Sequence, residues 1–280
     1  MAELPGRQSR KTRSVSSAVN QAISDFLFAR GYSVTKHVTY DEARALIRRL
    51  KPLDCGTELI RIGGDRDGGY LIPNDLEGME YCFSPGVSTT ADFENHLAEL
   101  GIRSFMADYS VDSPPVHRAE FVFDKKFLGC TDDPTYFTFT TWFEKYLKGY
   151  TGDLLLQMDI EGSEYEVIMN IPDELLSQFR IVVIEFHEVQ RLFEPFYYRL
   201  FDACLRKLAR HFQVAHLHPN NGCGSARSGG DIDVPRVLEV TLYNRRRITR
   251  TGDAVIPHAL DRDNFPDKKP LHLPYLWYGE

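Results

Sequence analysis

Asp159, Glu161 and His187 are the side chains whose type and setting point first to chemistry. The two acids stand in Asp153–Ile168, DLLLQMDIEGSEYEVI, where the apolar run Leu154-Leu155-Leu156 leads into carboxylates and then Gly162. That order reads as a buried strand, a tight turn and a helix starting at Ser163. The carboxyl end of a strand in an open α/β sheet is where ligands bind. His187 closes a second apolar run, Ile181-Val182-Val183-Ile184, directly after Glu185 and Phe186. An imidazole titrates at about pH 6.5 and can take a proton from a hydroxyl. His216 and His218, in HLHPNN, compete for that role. Two apart on a strand they share a face, and His218 lies nearer the carboxyl end. Carboxylate oxygens with one imidazole also suit Mg²⁺ or Mn²⁺. Asp159, Glu185 and either His187 or His218 therefore carry a second, metal-binding reading. Glu161 has a structural alternative, capping the amides at the start of the helix.

Other strand ends must stand beside these. Tyr81–Val87 reads as a strand ending at Gly86, and Arg103–Tyr109 as one ending in Asp108. A helix over Ala91–Leu100 joins them. Gly86, Val87 and Ser88 begin a turn whose backbone N–H groups can meet a ligand. Asp108, about twenty residues on, is placed to hold the hydroxyls of an adenosyl ribose. One glycine in place of a GxGxxG pattern disfavours a dinucleotide and favours an adenosyl ligand without phosphates, S-adenosylmethionine. Leu59–Pro73, LIRIGGDRDGGYLIP, reads as a hairpin whose glycine-rich turn and Tyr70 could face that ligand.

The remaining elements alternate. Ala119–Leu128 is strand-like, Phe139–Leu147 helical, and Pro195–Phe212 a long amphipathic helix; Gln213–Asn220 and Arg236–Arg245 are the last strands. The Gly222–Gly230 loop between these two leaves no room for a crossover helix, so they should run antiparallel. The pattern predicts a mostly parallel sheet with helices on both faces, finished by one antiparallel strand.

At this point the chain resembles the FkbM-type, methyltransferase-like family of class I methyltransferases. Asp159-Ile160-Glu161-Gly162 followed by Glu164, Tyr165, Glu166 and Val167 carries the resemblance. Arg61-Ile62-Gly63, Asp67-Gly68-Gly69-Tyr70 and His216–Asn221 support it. It covers roughly Leu59 to Arg245. It implies a Rossmann-like fold in three layers, S-adenosylmethionine as donor, and O-methylation of a sugar hydroxyl in a glycan or glycosylated metabolite. Class I methyltransferases usually carry an acid two residues before the first glycine; Ser84 stands there. Asp92, Glu94 or the Asp67–Tyr70 loop could supply the missing contact.

The expected organisation is a disordered basic tail over 1–14, a helical extension over 15–58, a methyltransferase domain over 59–250, and a wrapping tail over 251–280. The extension holds helices over Val15–Arg30 and Tyr40–Leu50, the first docked on the core or pairing two copies as a homodimer. A net charge of −7 argues against a nucleic-acid binder. No run approaches the ~18 apolar residues of a membrane span. Five scattered cysteines without CxxC spacing suggest a reducing, cytoplasmic setting. Two other classes compete with the enzyme reading. One is a metal-dependent nucleotide-sugar enzyme of glycosyltransferase type, using Asp159-Ile160-Glu161 as a DxD-like triplet. The other is a non-catalytic interaction module that keeps the fold.

Overall fold

The computed structural model describes residues 15–228 and 232–279, with side chains from residue 19 onward. The tail expected over 1–14 and the glycine end of the 222–230 loop lie outside these residues. The chain divides into two compact units at His37/Val38. In the first, helix α1 (Val15–Phe28) is stitched by Gln21 Nε2 donating to Asp25 Oδ1 at 2.9 Å, and the Arg30 guanidinium lies 3.5 Å over the Phe26 ring.

The second unit opens with α2 (Tyr40–Arg48), started by a reciprocal cap between Thr39 and Glu42. Ala43, Leu46 and Ile47 are buried, as their spacing requires for one helix face. The expected hairpin pairs Leu59–Ile62 with Tyr70–Pro73, antiparallel. The central sheet has seven strands: β1 (Tyr81–Pro85), β2 (Arg103–Ala107), β3 (Phe121–Asp124), β4 (Leu154–Met158), β5 (Phe179–Phe186), β6 (Phe212–Pro219) and β7 (Leu238–Asn244). Their order is β6-β7-β5-β4-β1-β2-β3. Every pairing in it is parallel except the two made by β7. The helices are α3 (Asp92–Glu99), α4 (Phe139–Leu147), α5 (Glu164–Asn170), α6 (Asp173–Leu176) and α7 (Pro195–Leu208). This is a class I methyltransferase-like α/β fold.

Period-two alternation divides the core in two. Leu154, Leu156 and Met158 of β4 join Val182, Ile184 and Phe186 of β5 under α2, α4, α5 and α7. Leu155, Ile181 and Val183 face the other way, against Phe93 and Leu97 of α3 and Ile62, Tyr70 and Ile72 of the hairpin. The order of strands reverses between β1 and β4, so their carboxyl ends part there and leave a crevice.

Three details differ from the sequence reading. The reversed strand does not finish the sheet: β7 slots between β5 and β6, because the α7 crossover carries β6 one place too far out to pair with β5. The stretch expected as one strand over Ala119–Leu128 breaks after Asp124, and Phe127–Gly129 pairs instead with Tyr136–Thr138. The C-terminal tail does more than wrap the surface. Trp277 is fully buried in the larger core, its indole N–H donating to Asp233 O at 3.1 Å. Asn264 is buried too. All five cysteines are free. Among the described residues, no helix is long and apolar enough to cross a membrane.

A fully buried indole at the chain's end is a large share of the packing. Trp277→Ala should therefore cost about 3–5 kcal/mol of unfolding free energy. Chemical denaturation reads this directly. A loss below 1 kcal/mol would mean the tail is not part of the folded core.

Candidate functional site

The crevice at the strand reversal is a cleft of about 420 Å³. Gly86, Ser88, Ala107, Asp108, Asp159 and Glu161 line it from the strand ends, and Phe127, Leu128 and Tyr136 supply an apolar wall. A second, much smaller space of about 30 Å³ adjoins it, lined among others by Asp67, Tyr70, Val87, Glu94 and Gln157. Gly86 and Asp159 line both. The sequence-derived residues Tyr70, Gly86, Val87, Ser88, Asp108 and Asp159 thus stand around two adjoining spaces.

Gly86, just past β1, lies against the backbone of Asp159, just past β4. Its φ is +91°, and a Cβ built on it would lie 1.4 Å from Asp159 O. Only glycine fits both the conformation and the space. Pro85 O accepts from Asp159 N at 3.2 Å, which holds the two strand ends together. Asp108 is almost fully buried and held by three donors: Ser88 N to Oδ2 at 2.8 Å, and Ser110 N and Oγ to Oδ1 at 2.7 and 2.6 Å. Ser88 takes a left-handed conformation, φ +47°, to make its bond.

Asp159 and His187 come together at one corner of the sheet's carboxyl edge. His187 Nε2 lies 3.8 Å from Asp159 Oδ1 and 3.5 Å from Glu161 Oε2. His187 Nδ1 is 3.0 Å from Glu164 Oε1. Asp159 Oδ1 is buried without a hydrogen-bond partner. Burial pushes the Asp159 carboxyl up to about 7, reinforced by Glu161 and Glu164 and opposed by His187. Burial works against a charge on His187, but the hydrogen bond to Glu164 and the charges of Glu164, Asp159 and Glu161 outweigh it and raise the imidazole to about 9.

Asp159, Glu161 and His187 offer ligand atoms within 4.8 Å of one another. Glu185, expected in that group, is not in it. Alternation along β5 puts Glu185 on the hairpin side, with Ile181 and Val183. There its oxygens accept from Tyr70 OH at 3.3 Å and Asn220 Nδ2 at 2.9 Å. His187 lies beyond the end of β5 and turns to α5 on the other side. His218 is not brought to the cleft either. It sits under the C-terminal tail, with Nδ1 3.7 Å from Asp261 Oδ1. His216, Nε2 2.8 Å from Asp261 Oδ1, is likewise taken up by the tail. Glu161 does not cap the helix: its side chain is exposed, and Glu164 Oε1 accepts from Ile160 N and Gly162 N instead.

Ser84, where an acid was expected, is buried among polar side chains. Ser84 Oγ contacts Glu94 Oε1 and lies 2.7 Å from Gln157 Oε1. One hydroxyl proton cannot serve both. The hydroxyl donates to one of the two carbonyl-type oxygens at a time, and burial raises the Glu94 carboxyl while its bond to Ser84 lowers it. Gln157 Nε2 then donates to Tyr70 OH at 3.3 Å. Beyond Glu185 the row continues: Asn220 Nδ2 donates to Asp67 Oδ1 at 3.4 Å, and Asn264 Nδ2 bridges Asp67 Oδ1 and Glu239 Oε1 at 2.9 and 2.6 Å. Burial raises the carboxyls of Glu185 and Glu239. Sequence reasoning gave no role to Gln157, Asn264 or Glu239. The legible signal was a polar residue on the buried face of an otherwise apolar strand, as at Ser84 and Gln157.

Residues 128–213 match the family model described as the methyltransferase FkbM domain. No curated protein matches the chain. The matched stretch carries α4, β4, α5, β5 and α7, with Asp159, Glu161, Glu164 and His187; Gly86 and Asp108 precede it.

Two outcomes follow from the geometry. Gly86→Ala should cost more than about 2 kcal/mol, since either the strand contact or the backbone conformation must yield; a denaturation curve like the wild type's would show the contact to be dispensable. Asp159 has a native pKa raised above its unfolded value of 3.8, to about 7. Its contribution to stability is therefore full below about pH 3.8 and is lost as pH rises through about 7. Asp159→Asn escapes that loss. The melting midpoint of the variant minus that of the wild type should grow between pH 4 and 7 and level off above; a constant difference would refute the burial argument.

Proposed function

We propose that this protein is an S-adenosylmethionine-dependent O-methyltransferase, acting on a sugar hydroxyl of a glycan or a glycosylated metabolite in the cytoplasm. The single observation that carries the reading is that Gly86 and Asp159 line both the larger cleft and the small inner space. A ligand with a bulky apolar-faced part and a slimmer polar arm would thread between them. Asp108 would accept from ribose hydroxyls, and Phe127, Leu128 and Tyr136 would face the base. Asp159, with an unsatisfied buried oxygen, puts negative charge beside the positive sulfonium. Gln157 and Tyr70 present polar atoms to the amino-acid end.

When bound, S-adenosylmethionine supplies an electrophilic methyl whose S–C bond breaks with the electron pair passing to sulfur. The acceptor oxygen forms the new bond to carbon and loses its proton. His187 Nε2 would receive that proton in the neutral form of its ring, the earlier Nε2 proton having passed to solvent. Glu161 is exposed at the rim and can accept from further hydroxyls of a polyol.

The glycosyltransferase reading fares less well. A nucleotide diphosphate needs cations or a helix N-terminus at its phosphates. Among the described residues, those lining the cleft include Asp108, Asp159 and Glu161 and no lysine or arginine. An interaction module would have no use for the unsatisfied carboxylate oxygen of Asp159.

Calorimetry with S-adenosylhomocysteine tests the proposal. Binding is expected for the wild type, weakened about tenfold to a hundredfold in Asp108→Asn through loss of charge-assisted hydrogen bonds worth about 1.5–3 kcal/mol. Binding of a UDP-sugar with Mn²⁺, and none of S-adenosylhomocysteine, would replace this reading with the other.

A further inference from the structure

Glu164 has no counterpart among the residues expected to do chemistry, yet it is the most deeply placed carboxylate at the corner. Its side chain is fully buried. One oxygen, Oε1, collects three contacts: His187 Nδ1 at 3.0 Å, Ile160 N at 3.1 Å and Gly162 N at 3.1 Å. The turn it closes holds two left-handed residues in succession, Glu161 at φ +55° and Gly162 at φ +107°. The next side chain of α5 grips the same strand end, with Tyr165 OH donating to His187 O at 2.7 Å. Residues 164 and 165 thus anchor both the ring and the backbone of His187.

We propose that Glu164 is the positioning residue of the site, fixing His187 as the tautomer that carries its proton on Nδ1 and turns the Nε2 lone pair toward Asp159 and the acceptor. This rests on the reading of His187 as the proton acceptor. A carboxylate can only accept a hydrogen bond, so the nitrogen beside Glu164 must be the protonated one. The other nitrogen, Nε2, is the one that faces Asp159 Oδ1 and Glu161 Oε2. As the acceptor's proton arrives on Nε2, the ring becomes a cation, and the buried negative charge of Glu164 stabilises it in place. The same carboxylate holds the turn that aims Asp159, so one side chain sets the relative position of both groups.

A purely structural Glu164 would be replaced without loss by glutamine, whose carbonyl keeps all three contacts. The positioning role predicts otherwise. Glu164→Gln should still fold cooperatively and bind S-adenosylhomocysteine within about twofold, while kcat falls about a hundredfold or more, as when the carboxylate of a hydrolase triad is made neutral. An unchanged kcat, or a loss confined to donor affinity, would overturn the proposal. A second measurement needs no turnover. In the full chain labelled with ¹⁵N-histidine, the His187 signal is identified by its loss in His187→Gln. Recorded above the pH of about 9 at which that ring sheds its charge, it should report a proton on Nδ1. A proton on Nε2 would overturn the assignment of Glu164. If S-adenosylhomocysteine does not bind at all, the proposed reaction fails, and the tautomer alone still decides whether Glu164 orients His187.

Discussion

The site depends on one steric fact: the ends of β1 and β4 pass so close at Gly86 that no side chain fits between them. Neighbouring parallel strands normally keep their pairing to the end. Here the ladder between β1 and β4 covers only Cys82 and Phe83 of β1. The hydrogen bond from Asp159 N to Pro85 O is the last tie before they part. It sets Asp159 at the junction of the two spaces. What lies on either side of that junction, Asp108 one way and Gln157 with Tyr70 the other, follows from the direction of each neighbouring strand.

A second constraint is the cost of burying carboxylates. An acid removed from water must be neutral, paired or hydrogen-bonded. Glu94, Glu185 and Glu239 meet this by a raised affinity for protons and by bonds to Ser84, Tyr70, Asn220 and Asn264. Together they form a polar row beneath the sheet's carboxyl edge. Asp159 Oδ1 is a buried oxygen without a hydrogen-bond partner, as are Glu164 Oε2 and Asn264 Oδ1 nearby.

The C-terminal tail contributes more than cover. Asn264 ties Asp67 of the hairpin turn to Glu239 of β7, and Asp67 N donates to Asn264 O at 3.2 Å. The same tail occupies His216 and His218 through Asp261, whose carboxyl those hydrogen bonds hold far below the usual carboxylate range despite its burial. Histidines that the chain seemed to offer for catalysis are thereby committed to holding the tail against the sheet's edge strand. The hairpin turn, β7 and the tail, far apart in sequence, meet on one wall of the site.

Sequence alone determined the alternation of strands and helices, the antiparallel character of the last pair, the hairpin, and the residues Gly86, Asp108, Asp159 and His187 at strand ends. These are local properties: apolar period, glycine at a turn, an acid where a strand stops. It also pointed to the FkbM-type methyltransferase resemblance, which the domain match over 128–213 supports. Tertiary structure alone decided which strand-end groups face one another. Glu185 and His187 stand two apart, yet they part company because β5 ends between them and His187 turns toward Glu164. Glu94 reaches Ser84 only because α3 lays it against β1. The place of β7 between β5 and β6, and the burial of Trp277, depend on how distant segments pack, and no local period encodes a partner that lies elsewhere in the chain.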